Sequence, residues 1–310
     1  MRVYDHHAVE DRLDWPGLIQ ALRESFARGA VVAPPRQSFT IDLPDGEQAT
    51  LLVMPAWEAG KAVGVKVVTF YPGNAAKGQA TINAGYLLFD GADGRFVAAM
   101  DGDGLTARRT AAASALAADY LARRDVKVLT VVGTGQLAGA VADAHSSVRS
   151  YERILIWGRS PEKAEATAVA LRAQGLPAEA QEELEAACRA ADVVSSVTAS
   201  TQPLIHGAWM REGSHLDLIG AFKADMRESD TLAVTRSRVF VDGRAGALLA
   251  GDLAQPIAEN AFDPALIVAD LAELTRGAPG RQSDAERTLF KSVGLSLEDL
   301  VGATMVAETG

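Results

Sequence analysis

The hydrophobic pattern changes character part-way along the chain. DWPGLIQALRESFARG places Leu18, Ile19, Leu22 and Phe26 along one helical face, with Asp14 as cap and Pro16 in the first turn. Shorter apolar runs follow. SFTIDL and ATLLVMP read as strands about a turn at Pro44–Asp45–Gly46, and AVGVKVVTFY as another. INAGYLLFDGADGRFVAAMDG reads as a hairpin turning between Gly91 and Gly94. Then LTARRTAAASALAADYLARR is rich in alanine, the best helix former, and Thr106 is placed to cap it. From Val126 strands and helices alternate: VKVLTVVG with QLAGAVADAHSS, then RILIWG with SPEKAEATAVALRAQ, capped by Ser160. Further apolar runs stand at ADVVSSVT, HLDLIG and RVFVD, each preceded by helical or turn material. That rhythm predicts a doubly wound parallel sheet, an α/β architecture, after a strand-rich α+β first part. LSLEDLVGATMVAE closes the chain as a helix, free to return to the first part.

One turn in the second part carries chemistry. Gly133-Thr134-Gly135-Gln136-Leu137-Ala138 matches G-x-G-x-x-A between a predicted strand and a predicted helix, the context this otherwise weak pattern needs. Gly133 permits the tight turn, Gly135 lets the backbone approach a pyrophosphate, and Ala138 keeps the helix close to the strand. The helix that Gln136 and Leu137 open turns free N–H groups toward phosphate. The bland alternative is a glycine turn in an α/β domain without a ligand. NAD-binding folds usually set Asp or Glu about 20 residues on. Here the second strand ends ILIWGRSPEK, so Arg159 and Ser160 stand at its tip and Lys163 one turn into the helix, with no acid at the tip. Those donors suit a 2′-phosphate and point to NADPH over NADH, against a merely solvated helix start.

Composition narrows the field. At 310 residues, two modest domains are the better expectation than one large one, and 48 % apolar residues supply ample core. The net charge of −10, with no basic stripe, argues against a nucleic-acid partner. No run is long and apolar enough to span a membrane, and MRVYDHHAVEDRLDW lacks a secretory pattern, so a cytoplasmic protein is expected. The single cysteine, Cys188, reads as a buried small hydrophobe. His6, His7, His145, His206 and His215 show no metal-ligand spacing, so no metal is expected; His145 ends a helix, where positive charge is welcome, and His206 and His215 bracket IHGAWMREGSH, in a turn-rich region. No G-x-S-x-G elbow signals a hydrolase.

In an acidic chain an anionic ligand needs local cations. Lys66 lies inside AVGVKVVTFY, sharing a strand face with Gly64 and Val68, while Val63, Val65 and Val67 take the other. It is either a ligand contact or an edge-strand lysine that blocks aggregation. Arg108 and Arg109 open a predicted helix, where the dipole disfavours cations and an anion would compensate. Arg36 follows two prolines that stiffen its backbone. Arg108, Arg109 and Arg36, three well-held cations, suit a small carboxylate.

Together these residues resemble the ornithine cyclodeaminase/μ-crystallin family. The likeness runs in order through APPR (33–36), VMPAW (53–57), GVKVVTFYPGN (64–74), LTARRTAAASALAADYLAR (105–123) and VVGTGQLA (131–138). It continues through DVVSSVTASTQPLI (192–205), GSHLDLIGAFKADMRESD (213–230) and LFKSVGLSLEDL (289–300). The resemblance implies a Rossmann-type dinucleotide domain at 119–294 and a substrate and dimerisation domain at 1–118 with 295–310, paired as a homodimer. It implies that Arg36, Lys66 and Arg109 hold the substrate carboxylate, that Thr81 lies close to the reacting centre, and that Ser196 and Thr198 line the nicotinamide side. Cyclodeaminases carry an aspartate shortly after the fifth strand; the matching position here is Phe222, which offers apolar ring contact instead. The pattern LIGAF-x-x-x-MRE-x-D looks like the reductases of Δ1-pyrroline-2-carboxylate and Δ1-piperideine-2-carboxylate. The implied activity is NADPH-dependent reduction of a cyclic ketimine carboxylate to proline or pipecolate, with Lys66 and Thr81 as catalytic candidates. Open-chain imine reduction of the alanine dehydrogenase kind is the alternative; a cyclodeaminase or a non-catalytic NADPH-binding protein stands behind it.

Overall fold

Strand-forming residues at alternate positions build the first sheet of the computed structural model, which describes residues 2–309. Contacts divide the chain into two units, Met1–Arg109 with Leu295–Gly310, and Thr110–Gly294. The first contains β1 (Arg2–Tyr4), α1 (His6–Arg12), α2 (Trp15–Arg28), β2 (Val31–Val32), β3 (Gln37–Asp42) and β4 (Gln48–Glu58). It continues with β5 (Ala62–Phe70), β6 (Ile82–Asp90), β7 (Phe96–Asp101) and the start of α3 (Gly102–Leu121). The C-terminal helix (Ser296–Glu308) completes it. Strand order is β1-β7-β6-β5-β4-β2, with β3 also on β4; only β1 and β7 pair in parallel.

Period two decides the two faces of this sheet. Met54, Ala56, Gly64, Lys66, Tyr86 and Leu88 point inward and are buried, where the C-terminal helix packs on β4 to β7 and α2 packs beside it. Cross-strand rows Trp57–Val63–Phe89 and Pro55–Val65–Leu87 form the other face, and Val63 and Leu87 there are exposed. Helix α2 begins as expected: Asp14 accepts from the Gly17 N–H at 2.9 Å, Pro16 sits in the first turn, and Gly29 ends the helix in the left-handed region.

Unit two is an eight-stranded parallel sheet flanked by helices. Its elements are β8 (Val128–Val132), α4 (Gln136–Val148), β9 (Arg153–Trp157), α5 (Pro161–Ala173), β10 (Ala178–Gln181), α6 (Leu184–Ala190) and β11 (Val193–Ser196). Then follow β12 (His215–Leu218), α7 (Thr231–Thr235), β13 (Arg238–Val241), α8 (Arg244–Ala247), α9 (Gly251–Ala258), β14 (Ile267–Asp270), α10 (Leu271–Thr275) and β15 (Thr288–Lys291). The order β10-β9-β8-β11-β12-β15-β13-β14 reverses direction at β8/β11, and at such a switch point ligands bind beyond the strand C-termini. Among the described residues no helix is long and apolar enough to cross a membrane.

One expectation is corrected. Helix α3 starts at Gly102, directly after β7, with Asp101 accepting from the Gly104 N–H at 2.7 Å. Thr106 is therefore inside the helix, and Arg108 and Arg109 lie past its first turn, beyond the strongest dipole field. His145 does lie in the last turn of α4, and it is fully buried there, 2.7 Å from the Ser114 hydroxyl and 3.6 Å from Asp217. His215 follows the turn-rich stretch as the first residue of β12, in the run HLDLIG, and burial pushes its imidazole down to about 3.

Candidate active site

Lys66 is the centre of a buried charge cluster in the first unit. β5 lies between β4 and β6, which removes the edge-strand explanation. The ammonium donates to Asp299 Oδ1 at 2.8 Å and Thr106 Oγ1 at 3.3 Å. Arg109 donates through Nε to the same Oδ1 at 2.9 Å, and through Nη1 to Glu298 Oε2 at 2.8 Å. Glu298 and Asp299 occupy the first turn of the C-terminal helix and are completely buried. Neither was singled out from sequence: two acids opening a helix look like ordinary dipole partners.

Burial, the Arg109 charge and the Arg36 charge bring the Lys66 ammonium down to about 8 although Asp299 opposes them. Burial pushes the Asp299 carboxyl up, but Arg109 and Lys66 outweigh it and hold it below the ordinary value. Arg36 stands just before β3, half-buried, close enough for its charge to be felt at Lys66. Tyr86 pairs with Lys66 across β5 and β6; its hydroxyl is buried with no hydrogen-bond partner. A side chain at Gly64 would collide with that hydroxyl, which explains the glycine next to Lys66. Arg108 serves a different end, donating to the Glu10 carbonyl at 2.9 Å with its guanidinium 4.1 Å over the Trp15 ring. Thr81 is half-buried in the turn before β6, and its carbonyl accepts from the Tyr71 N–H at 2.8 Å.

In the second unit a cleft of about 730 Å³ opens at the strand C-termini. Gly133, Thr134 and Gly135 form one wall; Arg159, Ser160 and Lys163 stand on another, and Thr198 on a third. The two glycines have different reasons. Gly133 has φ +126°, and a Cβ there would lie 2.7 Å from Val197 Cγ2, so the fold itself demands glycine. Gly135 has φ −80° and only open space within 4 Å of a Cβ. Nothing among the described residues excludes a side chain there, and the bare backbone leaves room for a ligand to approach closely. Gly135 is also the N-cap of α4 and supplies no side-chain cap, so the first N–H groups stay available to an anion. Gln136 and Leu137 form the first turn behind this loop. These features fit a dinucleotide pyrophosphate.

Ser160 caps α5, accepting from the Lys163 N–H at 3.3 Å and donating to Glu162 at 2.6 Å. Arg159 is exposed and neither it nor Lys163 forms an ion pair among the described residues; no carboxylate lines the cleft. Ser196 is fully buried and does not line the cleft: its hydroxyl donates to Glu228 Oε1 at 2.6 Å. The same oxygen accepts from Thr198 N and Oγ1 at 2.8 and 3.0 Å, and Oε2 accepts from the N–H groups of Gly220 and Ala221 at 2.8 and 3.0 Å. Glu228 thus fixes two strand-end loops, a role sequence reasoning missed. Burial pushes its carboxyl up to about 7, opposed by the Lys291 ammonium. Phe222, two residues past Gly220, is half-buried with the Lys223 ammonium 5.8 Å from its ring. Among the described residues no group of His, Cys, Asp or Glu is arranged to hold a metal.

The profile of the ornithine cyclodeaminase/mu-crystallin family matches residues 2–309. The chain belongs to that family. A Δ1-pyrroline-2-carboxylate reductase of Paracoccus denitrificans is 38 % identical over 305 residues, covering 96 % of this chain and 93 % of the relative. The Thermococcus litoralis Δ1-pyrroline-2-carboxylate reductase, solved with NADH and L-proline, superposes with a TM-score of 0.93 at 33 % identity, over 99 % of this chain and 97 % of that one. An archaeal alanine dehydrogenase dimer with bound NAD gives 0.91 at 28 % identity, over 99 % and 95 %. The family fold therefore spans reductases and dehydrogenases of small amino and imino acids.

Proposed function

We propose that this protein reduces the C=N bond of a cyclic ketimine carboxylate, Δ1-pyrroline-2-carboxylate or its six-membered homologue, to L-proline or L-pipecolate. The observation that carries the reading is the buried Lys66–Arg109 pair, two cations with unused N–H donors in a chain related to Δ1-pyrroline-2-carboxylate reductases. Bound NAD(P)H supplies hydride to the imine carbon. Lys66, Arg109 and Arg36 hold the carboxylate, and that grip orients the adjacent C=N. A protonated imine forms in solution, so no strong protein acid is required; Lys66 and Thr81 orient the proton-bearing side. Phe222 meets the ring with apolar surface where a cyclodeaminase places a carboxylate, which disfavours deamination.

We assign NADPH as the preferred cofactor, with NADH the weaker alternative. Arg159 and Lys163 without carboxylate partners support the 2′-phosphate reading. The Thermococcus relative's complex, which holds NADH, supports a nicotinamide cofactor and not the choice of NADPH. We also propose a homodimer joined through the uncovered apolar rows of the first sheet. The test of activity is loss of absorbance at 340 nm with Δ1-pyrroline-2-carboxylate, with NADPH and NADH compared at equal concentration. Fast oxidation without added amine supports the ketimine reading. Oxidation only with pyruvate plus ammonia moves the protein to the alanine dehydrogenase class.

A further inference from the structure

The acid pair on the C-terminal helix is unused by the reaction as described, yet it sits at the centre of the cation cluster. We propose that Asp299 is a positioning residue: its Oδ1 takes both Lys66 and Arg109 and presets them as a two-pronged clamp for a substrate carboxylate. The proposal rests on the carboxylate-binding reading above and adds how the clamp is built.

Donor counting supports it. An ammonium has three N–H donors, and Lys66 gives one to Asp299 and one to Thr106, leaving one. Arg109 commits Nε–H to Asp299 and one Nη1–H to Glu298, leaving three of its five N–H groups, the Nη2 pair among them. Spare donors on both cations, with both held to the same oxygen, are what a single carboxylate bridges. The pairing is shared: Asp299 Oδ1 takes both cations and Glu298 takes Arg109 as well. Without Asp299 two buried cations would face each other with no shared counter-charge.

The groups facing Lys66 are Thr106 and Arg109 on α3, Asp299 on the C-terminal helix, Tyr86 on β6 and Arg36 before β3, with Asp103 on α3 also within its field. Of these, Asp299 is the group that holds the ammonium charged, and Arg109 and Arg36 push the other way. Replacing Asp299 by a neutral isostere therefore moves the Lys66 titration to lower pH. The chain has seven lysines, few enough to follow Lys66 by NMR with ¹³Cε-labelled lysine and a Lys66→Arg control for assignment.

The experiment compares wild type, Asp299→Asn and Asp299→Glu as full-length protein. Titrations of Lys66 are run alone and with pyrrole-2-carboxylate, a flat ring carboxylate with no imine to reduce. KM and kcat for the ketimine are measured across pH 6–9.5. The expected result is a lower Lys66 titration point in Asp299→Asn, a basic limb of the KM profile moved the same way, and KM raised about tenfold. kcat at saturating substrate changes much less, and glutamate restores part of the loss. An unmoved Lys66 titration and KM profile in folded Asp299→Asn overturns the proposal. If Asp299→Asn does not fold, wild type decides: Lys66 titrating at the ordinary lysine value, or giving no response to pyrrole-2-carboxylate, overturns it. Failure of wild type to reduce the ketimine, with Lys66 still answering to the carboxylate, overturns the substrate assignment and leaves the clamp standing.

Discussion

Lys66 shows how a residue's surroundings prepare a common side chain for the ligand role proposed for it. An ammonium buried on an internal strand is costly unless paired, and here the pairing leaves one N–H unspent. Lys66→Met is expected to weaken binding of a ring carboxylate about tenfold or more, the worth of a charged hydrogen bond; calorimetry with pyrrole-2-carboxylate reads it. The pH dependence follows in sign from the lowered Lys66 value. Below about 8 the ammonium is charged and the clamp complete; as pH rises through about 8 the proton leaves and affinity for the carboxylate falls. An affinity flat to pH 10 would remove Lys66 from the site. Arg159 is exposed, so salt screens its interaction. Arg159→Ala is expected to cost about tenfold in NADPH affinity and little in NADH affinity, by fluorescence titration. Lys66 stood out in the sequence because a charge interrupts an apolar strand. Glu298 and Asp299 did not, because acids in a helix's first turn need no tertiary partner to explain them.

At the scale of elements, the glycine loop separates folding from binding. Gly133→Ala is expected to destabilise the protein by about 1–3 kcal/mol, since a side chain at φ +126° is strained and strikes Val197. Gly135→Val meets open space, so the melting temperature should hardly move while NADPH binding drops at least about tenfold; thermal melts and cofactor titration together check the pair. Strands with strong apolar alternation or runs, such as β5 and β8, were legible in the sequence. The parallel sheet nonetheless has strands the pattern did not show. β10 (AEAQ) is a four-residue edge strand with little apolar signal, β14 (IVAD) is an apolar edge strand of only four residues, and β15 (TLFK) is central but carries Lys291 in full burial. That lysine is tolerated because it donates to the Ala221 carbonyl at 2.6 Å and to Asp252 at 2.9 Å, partners far away in sequence. The start of α3 was misplaced for a related reason: its cap, Asp101, is the last residue of a strand and lay outside the helical pattern.

For the molecule as a whole, the rows Trp57–Val63–Phe89 and Pro55–Val65–Leu87 place apolar surface on a face that the helices of its own unit do not cover. A second copy is the expected cover. Sedimentation should give twice the chain mass of 32.6 kDa, and Val65→Glu should shift it to monomer; a wild-type monomer at micromolar concentration would refute the dimer. The proposal assigns one role to each unit, a cation cluster for the carboxylate in the first and a glycine loop for the dinucleotide in the second. The central claim is transfer of hydride to an imine carbon, and isotope transfer tests it most directly. The protein is incubated with Δ1-pyrroline-2-carboxylate and NADPH deuterated at the transferable C4 position, and the product is read by mass spectrometry and NMR. The account predicts L-proline carrying one deuterium at C2. Consumption of NADPH without deuterated proline, or label found only in alanine when pyruvate and ammonia are supplied, would contradict it.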